Sequence, residues 1–354
     1  MANKNYKLLF IGNHLHHNDE IKTANLSMSE ALAARLEEKG WSISLTSDEI
    51  NPVLRLMDMV WVTITKRKEY VLAVVDLFSG RAFLWAEVCT LVLRILNKPY
   101  VIAMRGGNLP EFSIQYPKRV NQMLDNAPSI ISPSKYLQLE MKKFSNKIEI
   151  IPNPIELPKY KFESRKEPVA RLVWLRAFHE IYNPTLAPKI IKNLSVDFPD
   201  IELTMVGPDK GDGSFEKTIE AANRLGVKDR IAFPGLVSKN EVPYWLNKDD
   251  IFINTTNVDN TPVSVIEAMA CGLCVVSTNV GGIPYLLEDG VDALLVPPDD
   301  PQAMAEAVKR ILSDPELAAK LSMNAREKSE SFSWEKVLPM WEALFYEIIG
   351  ESRG

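Results

Sequence analysis

Cysteine and histidine are scarce in this chain. Its 354 residues include three cysteines, Cys89, Cys271 and Cys274, and four histidines. An odd, small cysteine count excludes a disulfide scaffold and fits a reducing compartment. The stretch CGLC (Cys271 to Cys274) has C-x-x-C spacing, but no second cysteine pair stands elsewhere to complete a zinc site. Its simpler reading is a tight turn between a helix and the strand LCVVST. An excess of basic charge is also missing: the formal net charge is −5. No global field therefore draws nucleic acid, and no basic stripe supports such a partner. Long apolar runs are absent too. The most apolar helix pattern, FLWAEVCTLVLRIL (Phe83 to Leu96), is interrupted by Glu87 and Arg94 and is too short to span a bilayer. The opening MANKNYKLLFIG runs straight into a strand pattern without the features of a signal peptide. The expectation is a cytoplasmic protein, with attachment to the inner face of a membrane left open.

Short β-rich runs alternate with amphipathic helix patterns. YKLLFIG, SISLTS, YVLAVVD, PYVIAM and SIISPS read as strands in the first half, with helices such as MSEALAARLEEKG (Met28 to Gly40) between them. RLVWLR, IELTMVG, RIAFPG, DIFINT, LCVVST and DALLVP follow in the second. The strands are apolar nearly throughout, as in parallel sheets covered on both faces. The proline-rich, charged segment Asn153 to Ala170 breaks the rhythm. The expected organisation is α/β: two Rossmann-like, doubly wound domains over 1–155 and 170–332, a linker at 156–169 and a C-terminal helix over 333–354. No internal repeat or low-complexity tract is present.

Open parallel sheets bind ligands beyond the carboxyl ends of their strands. The loops expected there are rich in Gly, Asn, Ser and Thr. They include GNHLHHNDE, RGGNLPEF, RAFHEIYNP, GPDKGDGS, PGLVSKNE, NVDNTPVS and NVGGIPYL. Glycine allows close backbone approach, and helix N-termini favour anions such as phosphate. Arg176 adds a planar cationic fork suited to a diphosphate. Two such cups would face each other across a cleft. His14, His16 and His17 form a cluster without an acid or cysteine at ligand spacing, so no metal is expected. His179 reads as a polar loop residue rather than a base. No GxSxG, HExxH or P-loop pattern occurs.

One stretch is far more specific. NVDNTPVSVIEAMACGLCVVSTNVGGIPYLLEDGVDALLVPPDD (Asn257 to Asp300) contains an acid, seven residues, a glutamate, AMACG, a strand, GGIP, DG and LLVPP. With this run the chain resembles the retaining glycosyltransferases of family 4, which have the GT-B fold. The resemblance implies that Glu267 accepts hydrogen bonds from the donor ribose and that Asp259 lies beside the donor sugar. Asn260, Thr261, Pro262, Val263 and Ser264 would present the loop between them, although Pro262 has no N–H. Arg176 matches the family's diphosphate arginine. The lysine that usually accompanies it is missing from EIYN, where Lys210 or Lys217 are candidate substitutes. Arg105 stands where relatives often carry histidine, and Asp259 is one methylene shorter than the usual glutamate. The implied reacting set is Arg176, Asp259 and Arg105. The donor contacts add Glu267, Gly12, Asn13, Gly106, Gly107, Gly207, Lys210 and Leu236, and Asn108 would line the sugar and acceptor side.

The activity implied is retaining, hexosyltransferase-like transfer from a nucleotide-diphosphate sugar, most commonly UDP-linked in such proteins. It would use no metal and no separate cofactor. The acceptor would be a carbohydrate, a lipid-linked group or a small molecule. Two other readings stay open: a catalytically silent sugar-nucleotide binder, and a GT-B epimerase or phosphorylase relative. The aromatic last helix, from Ser333 to Ile349, would pack on the first domain.

Overall fold

The computed structural model describes residues 6–14 and 26–351. The chain divides into two compact units. The first comprises residues 1–153 and 335–354, and the second comprises 154–334.

In the first unit β1 (Lys7–Ile11), α1 (Met28–Glu38), β2 (Ser42–Thr46), α2 (Pro52–Thr65), β3 (Leu72–Leu77), α3 (Phe83–Ile95) and β4 (Tyr100–Met104) alternate. α4 (Leu109–Gln115), α5 (Pro117–Asp125), β5 (Ser129–Ser132), α6 (Lys135–Met141) and β6 (Ile148–Ile150) complete the alternation. The sheet order is β2-β1-β3-β4-β5-β6, with every pairing parallel. Buried apolar runs such as Leu72 to Val75 and Val101 to Met104 fill the strands because helices cover both faces. α1 begins at a capping box: Ser27 accepts from the Glu30 amide, while the Glu30 side chain accepts from the Ser27 amide. The expected strand YVLAVVD begins later than its first residue. Tyr70 precedes it and donates its buried hydroxyl to Thr63 O at 3.0 Å. The sixth strand, Ile148–Ile150, was not expected, because three residues give no readable alternation.

The second unit holds β7 (Arg171–Leu175), α7 (Leu186–Leu194), β8 (Glu202–Val206), α8 (Ser214–Leu225), β9 (Ile231–Gly235), α9 (Val242–Asn247) and β10 (Ile251–Asn254). α10 (Val263–Cys271), β11 (Cys274–Thr278), α11 (Ile283–Leu286), β12 (Leu294–Val296), α12 (Pro301–Ser313) and α13 (Pro315–Glu330) follow. Its parallel sheet runs β12-β11-β10-β7-β8-β9. The segment read as a linker is built into this unit instead. Tyr160 and Arg165 are buried there. Arg165 donates to Asp250 Oδ1 at 3.2 Å, to Cys271 O at 3.1 Å and to Asp249 O at 3.2 Å. Those partners lie about a hundred residues away, so local composition gives no sign of them.

α14 (Trp334–Glu351) belongs to the first unit from Glu335 onward. There Trp41 donates from Nε1 to Glu342 Oε1 at 3.0 Å and packs on Phe345, with ring centroids 5.8 Å apart. All three cysteines are buried and unbridged, and burial pushes each thiol up to about 12. CGLC is therefore the turn from α10 into β11, with Gly272 at φ +78. No helix among the described residues is long and apolar enough to cross a membrane.

Candidate active site

In the second sheet the strand order reverses between β7 and β10. Loops leaving such a switch point diverge and open a crevice beyond the carboxyl edge. Arg176 directly follows β7 at this edge and Asp259 lies in the loop after β10. Arg176 Nη2 pairs with Asp259 Oδ2, both side chains being largely buried. The guanidinium also lies over the Tyr182 ring, 4.3 Å from its centroid. Burial lowers the Arg176 pKa from its ordinary value, opposed by Tyr182 and Glu267. Its Nε is buried without an acceptor among the described residues.

The acid-bearing loop is held by buried hydroxyls. Trp174 Nε1 donates to Thr255 Oγ1 at 2.9 Å, Thr255 Oγ1 donates to Tyr182 O at 2.7 Å, and Thr278 Oγ1 donates to Thr256 O at 2.6 Å. The Asn260 amide turns back onto Asp259 Oδ1 at 2.8 Å. The GGIP motif then closes on this loop. The Gly282 amide donates to Asp259 O at 2.8 Å, and a Cβ at Gly282 would sit 1.7 Å from Asn260 O. The second glycine of the motif is thus required by contact with the acid loop.

Pro262 caps α10, and Val263 and Ser264 form its first turn. First-turn amides have no carbonyl four residues back to receive them. Ser264 Oγ is buried beside them without a hydrogen-bond partner among the described residues. Amides, hydroxyl and macrodipole together favour an anion. Glu267 lies one turn further on. Its Oε1 accepts from the Tyr160 hydroxyl at 2.7 Å. Burial raises the Glu267 pKa, opposed by that hydrogen bond and by the charges of Lys239 and Arg176.

Beyond β8, a Cβ on Gly207 would lie 1.7 Å from Arg176 O, so glycine there lets the β8 loop press on the arginine backbone. Lys210 is exposed on the same loop, and Leu236 is exposed just after β9. His179 caps its own turn, accepting from the Ile181 amide at 3.2 Å.

The first unit uses its expected site residues differently. Gly12 donates its amide to Thr46 O at 2.7 Å, and a Cβ there would meet Asp76 Oδ2 at 2.6 Å. Asn13 is exposed beside it, His14 is buried, and His16 and His17 lie outside the described residues. The Arg105 side chain is largely covered and ion-paired. Its Nε donates to Asp76 Oδ1 at 2.9 Å, and its Nη2 donates to Ser29 Oγ at 3.1 Å. Gly106 and Gly107 form the turn before Asn108 and α4. Sequence reading missed Asp76, which lay inside an unbroken strand run, and Tyr160, which lay in the segment read as linker. Among the described residues no cluster of three or more His, Cys, Asp or Glu has metal-binding geometry.

Two six-stranded parallel α/β sheets, each within its own unit, have the GT-B fold of the solved structures this chain resembles. Residues 159–328 match the family described as Glycosyl transferases group 1. The chain is 32% identical over 138 residues to a D-inositol 3-phosphate glycosyltransferase of Streptomyces bingchenggensis, covering 38% of this chain and 30% of that protein. It is 23% identical over 253 residues to N-acetyl-alpha-D-glucosaminyl L-malate synthase of Bacillus anthracis, covering 70% and 64%. The matches thus span less than two thirds of either relative. Among solved structures, a sucrose-phosphate synthase from Thermosynechococcus elongatus superposes with TM-score 0.81 at 18% identity, covering 98% of this chain and 100% of that one. Anabaena HepE in complex with UDP-glucose gives 0.74 at 18% identity, covering 96% and 99%. These two likenesses show the fold.

Proposed function

We propose that this protein is a retaining glycosyltransferase that moves a hexose from a nucleotide-diphosphate sugar, with UDP the favoured carrier, to an acceptor hydroxyl. The reading is carried by the buried Arg176, on which the Glu267 charge of α10 acts, together with the α10 amide end and a buried Ser264 hydroxyl that has no hydrogen-bond partner among the described residues. A diphosphate satisfies all three. Glu267, fixed by Tyr160, is the acceptor for ribose hydroxyls.

The chemistry follows from those roles. The bond between the anomeric carbon and the diphosphate oxygen breaks, and the electron pair leaves with the phosphate. Arg176 and the α10 amides stabilise the charge that gathers there. The sugar becomes oxocarbenium-like. The acceptor oxygen bonds to the same face of that carbon while its proton passes to the departing phosphate oxygen. No protein nucleophile is needed. Asp259, paired with Arg176, lies beside the donor sugar. Arginine and helix amides take the charge-neutralising role here, so turnover is expected without a divalent metal. The Anabaena neighbour, solved with UDP and with UDP-glucose, supports uridine as the first base to test.

Calorimetry with UDP, GDP, ADP and their sugar conjugates, with and without EDTA, tests this reading. Binding of one nucleotide that resists EDTA and is lost in Glu267→Ala, together with slow hydrolysis of its sugar conjugate, is the expected result. Affinity without hydrolysis or transfer would identify a silent binder instead, and no nucleotide binding at all would remove the donor site.

A further inference from the structure

The first unit holds a pocket of about 650 Å³ at the carboxyl ends of its strands, entirely within that unit. Ser79 and Gly80 reach it from beyond β3, Asn108 from beyond β4, and Pro52 from the start of α2. Its walls are apolar: Val53, Leu56, Leu84, Trp85, Phe112 and Tyr116 line it. Two arginines stand among them. Arg119 is committed to Glu87, donating from Nε to Oε1 at 3.0 Å. Arg81 is exposed, and no acid pairs with it among the described residues. It lies in the short helical turn Gly80–Ala82 that runs straight into α3, where the Phe83 amide is already taken by Gly80 O and Arg81 O, so its guanidinium is the group offered to an anion.

The apolar lining does not stop at the rim. Val53 and Leu84 belong both to the pocket and to an exposed face that the paired helices α2 and α3 share. Leu54, Met57, Trp61 and Ile64 continue it along α2 at three- and four-residue spacing, and Leu91 and Ile95 continue it along α3. The inward face of α2 is a second stripe, Arg55, Met59 and Thr63, so the outer one is surplus to the core. The acids on these two helices are withdrawn from it. Asp58 accepts from Thr46 Oγ1 at 2.8 Å, and Glu87 is held by Arg119. A small polar ligand leaves this surface unused. A chain running out of an apolar pocket covers it.

We infer that this pocket binds an amphiphile, an acyl or prenyl chain carrying a phosphate or carboxylate head. The head sits at Arg81, and the chain lies in the pocket and along α2 and α3. On the transferase reading above, on which this part rests, the acceptor is a lipid. Free anion and lipid head share one chemistry, so chain length must separate them.

Dodecyl phosphate, kept below its micelle-forming concentration, is titrated into the protein alongside butyl phosphate and dodecyl maltoside. One dodecyl phosphate per chain is expected, with butyl phosphate at least about tenfold weaker because eight methylenes are lost. Leu84→Asp should weaken dodecyl phosphate about tenfold or more. Arg81→Ala should weaken dodecyl phosphate but not dodecyl maltoside. Should Leu84→Asp unfold the unit, Val53→Asp, at another exposed wall position, carries the same expectation. Equal affinity for the two phosphates, or unchanged binding in these variants, overturns the inference. So does sedimentation with phosphatidylglycerol vesicles by a protein that binds no monomeric amphiphile, since the face would then be a docking surface only. UDP binding, measured on the same samples, reports separately on the second unit. Its failure would remove the transferase reading and leave the amphiphile site standing.

Discussion

Tyr160 and Glu267 stand more than a hundred residues apart in sequence, yet the tyrosine hydroxyl donates to the glutamate at 2.7 Å. The bond fixes which way the carboxylate points, and burial of both partners makes it selective for one geometry. Tyr160→Phe removes the donor and keeps the ring. Losing one charge-assisted hydrogen bond should cost about 1.5–3 kcal/mol in the combined stability and nucleotide affinity. Calorimetric Kd for the preferred nucleotide should rise while the melting temperature falls only slightly. Unchanged affinity would mean that Glu267 does not act through Tyr160.

The pair Arg176–Asp259 is largely buried, so breaking it from one side leaves a charge behind. Arg176→Met alone should therefore lower stability and abolish nucleotide binding. Adding Asp259→Asn should restore much of the stability, because the orphaned charge is gone, but none of the binding. A double-variant cycle followed by thermal melts and calorimetry separates the two effects. Recovery of binding in the double variant would contradict a diphosphate role for the arginine.

Gly282 presses against the loop that carries Asp259 and Asn260. Gly282→Ala forces that loop away and should weaken nucleotide binding at least about tenfold, alongside a stability loss of a few kcal/mol from overpacking. Gly350→Ala makes a sharp control. A Cβ there meets nothing within 4 Å inside α14. It should leave binding unchanged and raise stability by only a few tenths of a kcal/mol, because Gly350 lies in the last turn of the helix.

Asp249 gives the second unit a pH signature. Burial pushes its carboxyl up to about 7 from an ordinary 3.8, and its Oδ2 has no hydrogen-bond partner among the described residues. Between those values the unfolded chain ionises while the folded chain keeps its proton. Stability should therefore fall as pH rises from 4 to 7 and then level, by up to roughly 4 kcal/mol for this group. Asp249→Asn should match the wild type near pH 4 and exceed it above pH 7. Urea melts across that range check the sign.

The buried Arg105–Asp76 pair makes a different demand. Arg105→Met strands Asp76 and should destabilise the first unit by about 3–5 kcal/mol. Nucleotide binding by the second unit should persist in the folded fraction. A variant that kept full stability but lost turnover would return Arg105 to the reacting set.

Much of this molecule was legible before folding. Eleven of the strands could be read, most of them because a parallel sheet covered on both faces turns a strand into a nearly continuous apolar run; the half-buried Ser42–Thr46, with Ser and Thr between its apolar residues, is an exception. The run from Asn257 to Asp300 carried its family in adjacent residues, since α10, its capping loop and the GGIP turn form one local unit. That proximity also placed Asp259, Ser264 and Glu267 near one another. Partnership across the chain was not legible. Arg105 looked like a cation offered to a ligand, and only β3 lying beside β4 brings Asp76 to neutralise it. The proline-rich stretch at 156–169 looked like a linker, because nothing local marks Tyr160 as the partner of Glu267 or Arg165 as a hub for β10 and α10. The sequence by itself determined most of the elements and the fold class, which depend on neighbours a few residues away. Tertiary structure decided which charges are free and which are paired, because that depends on the strands that become adjacent.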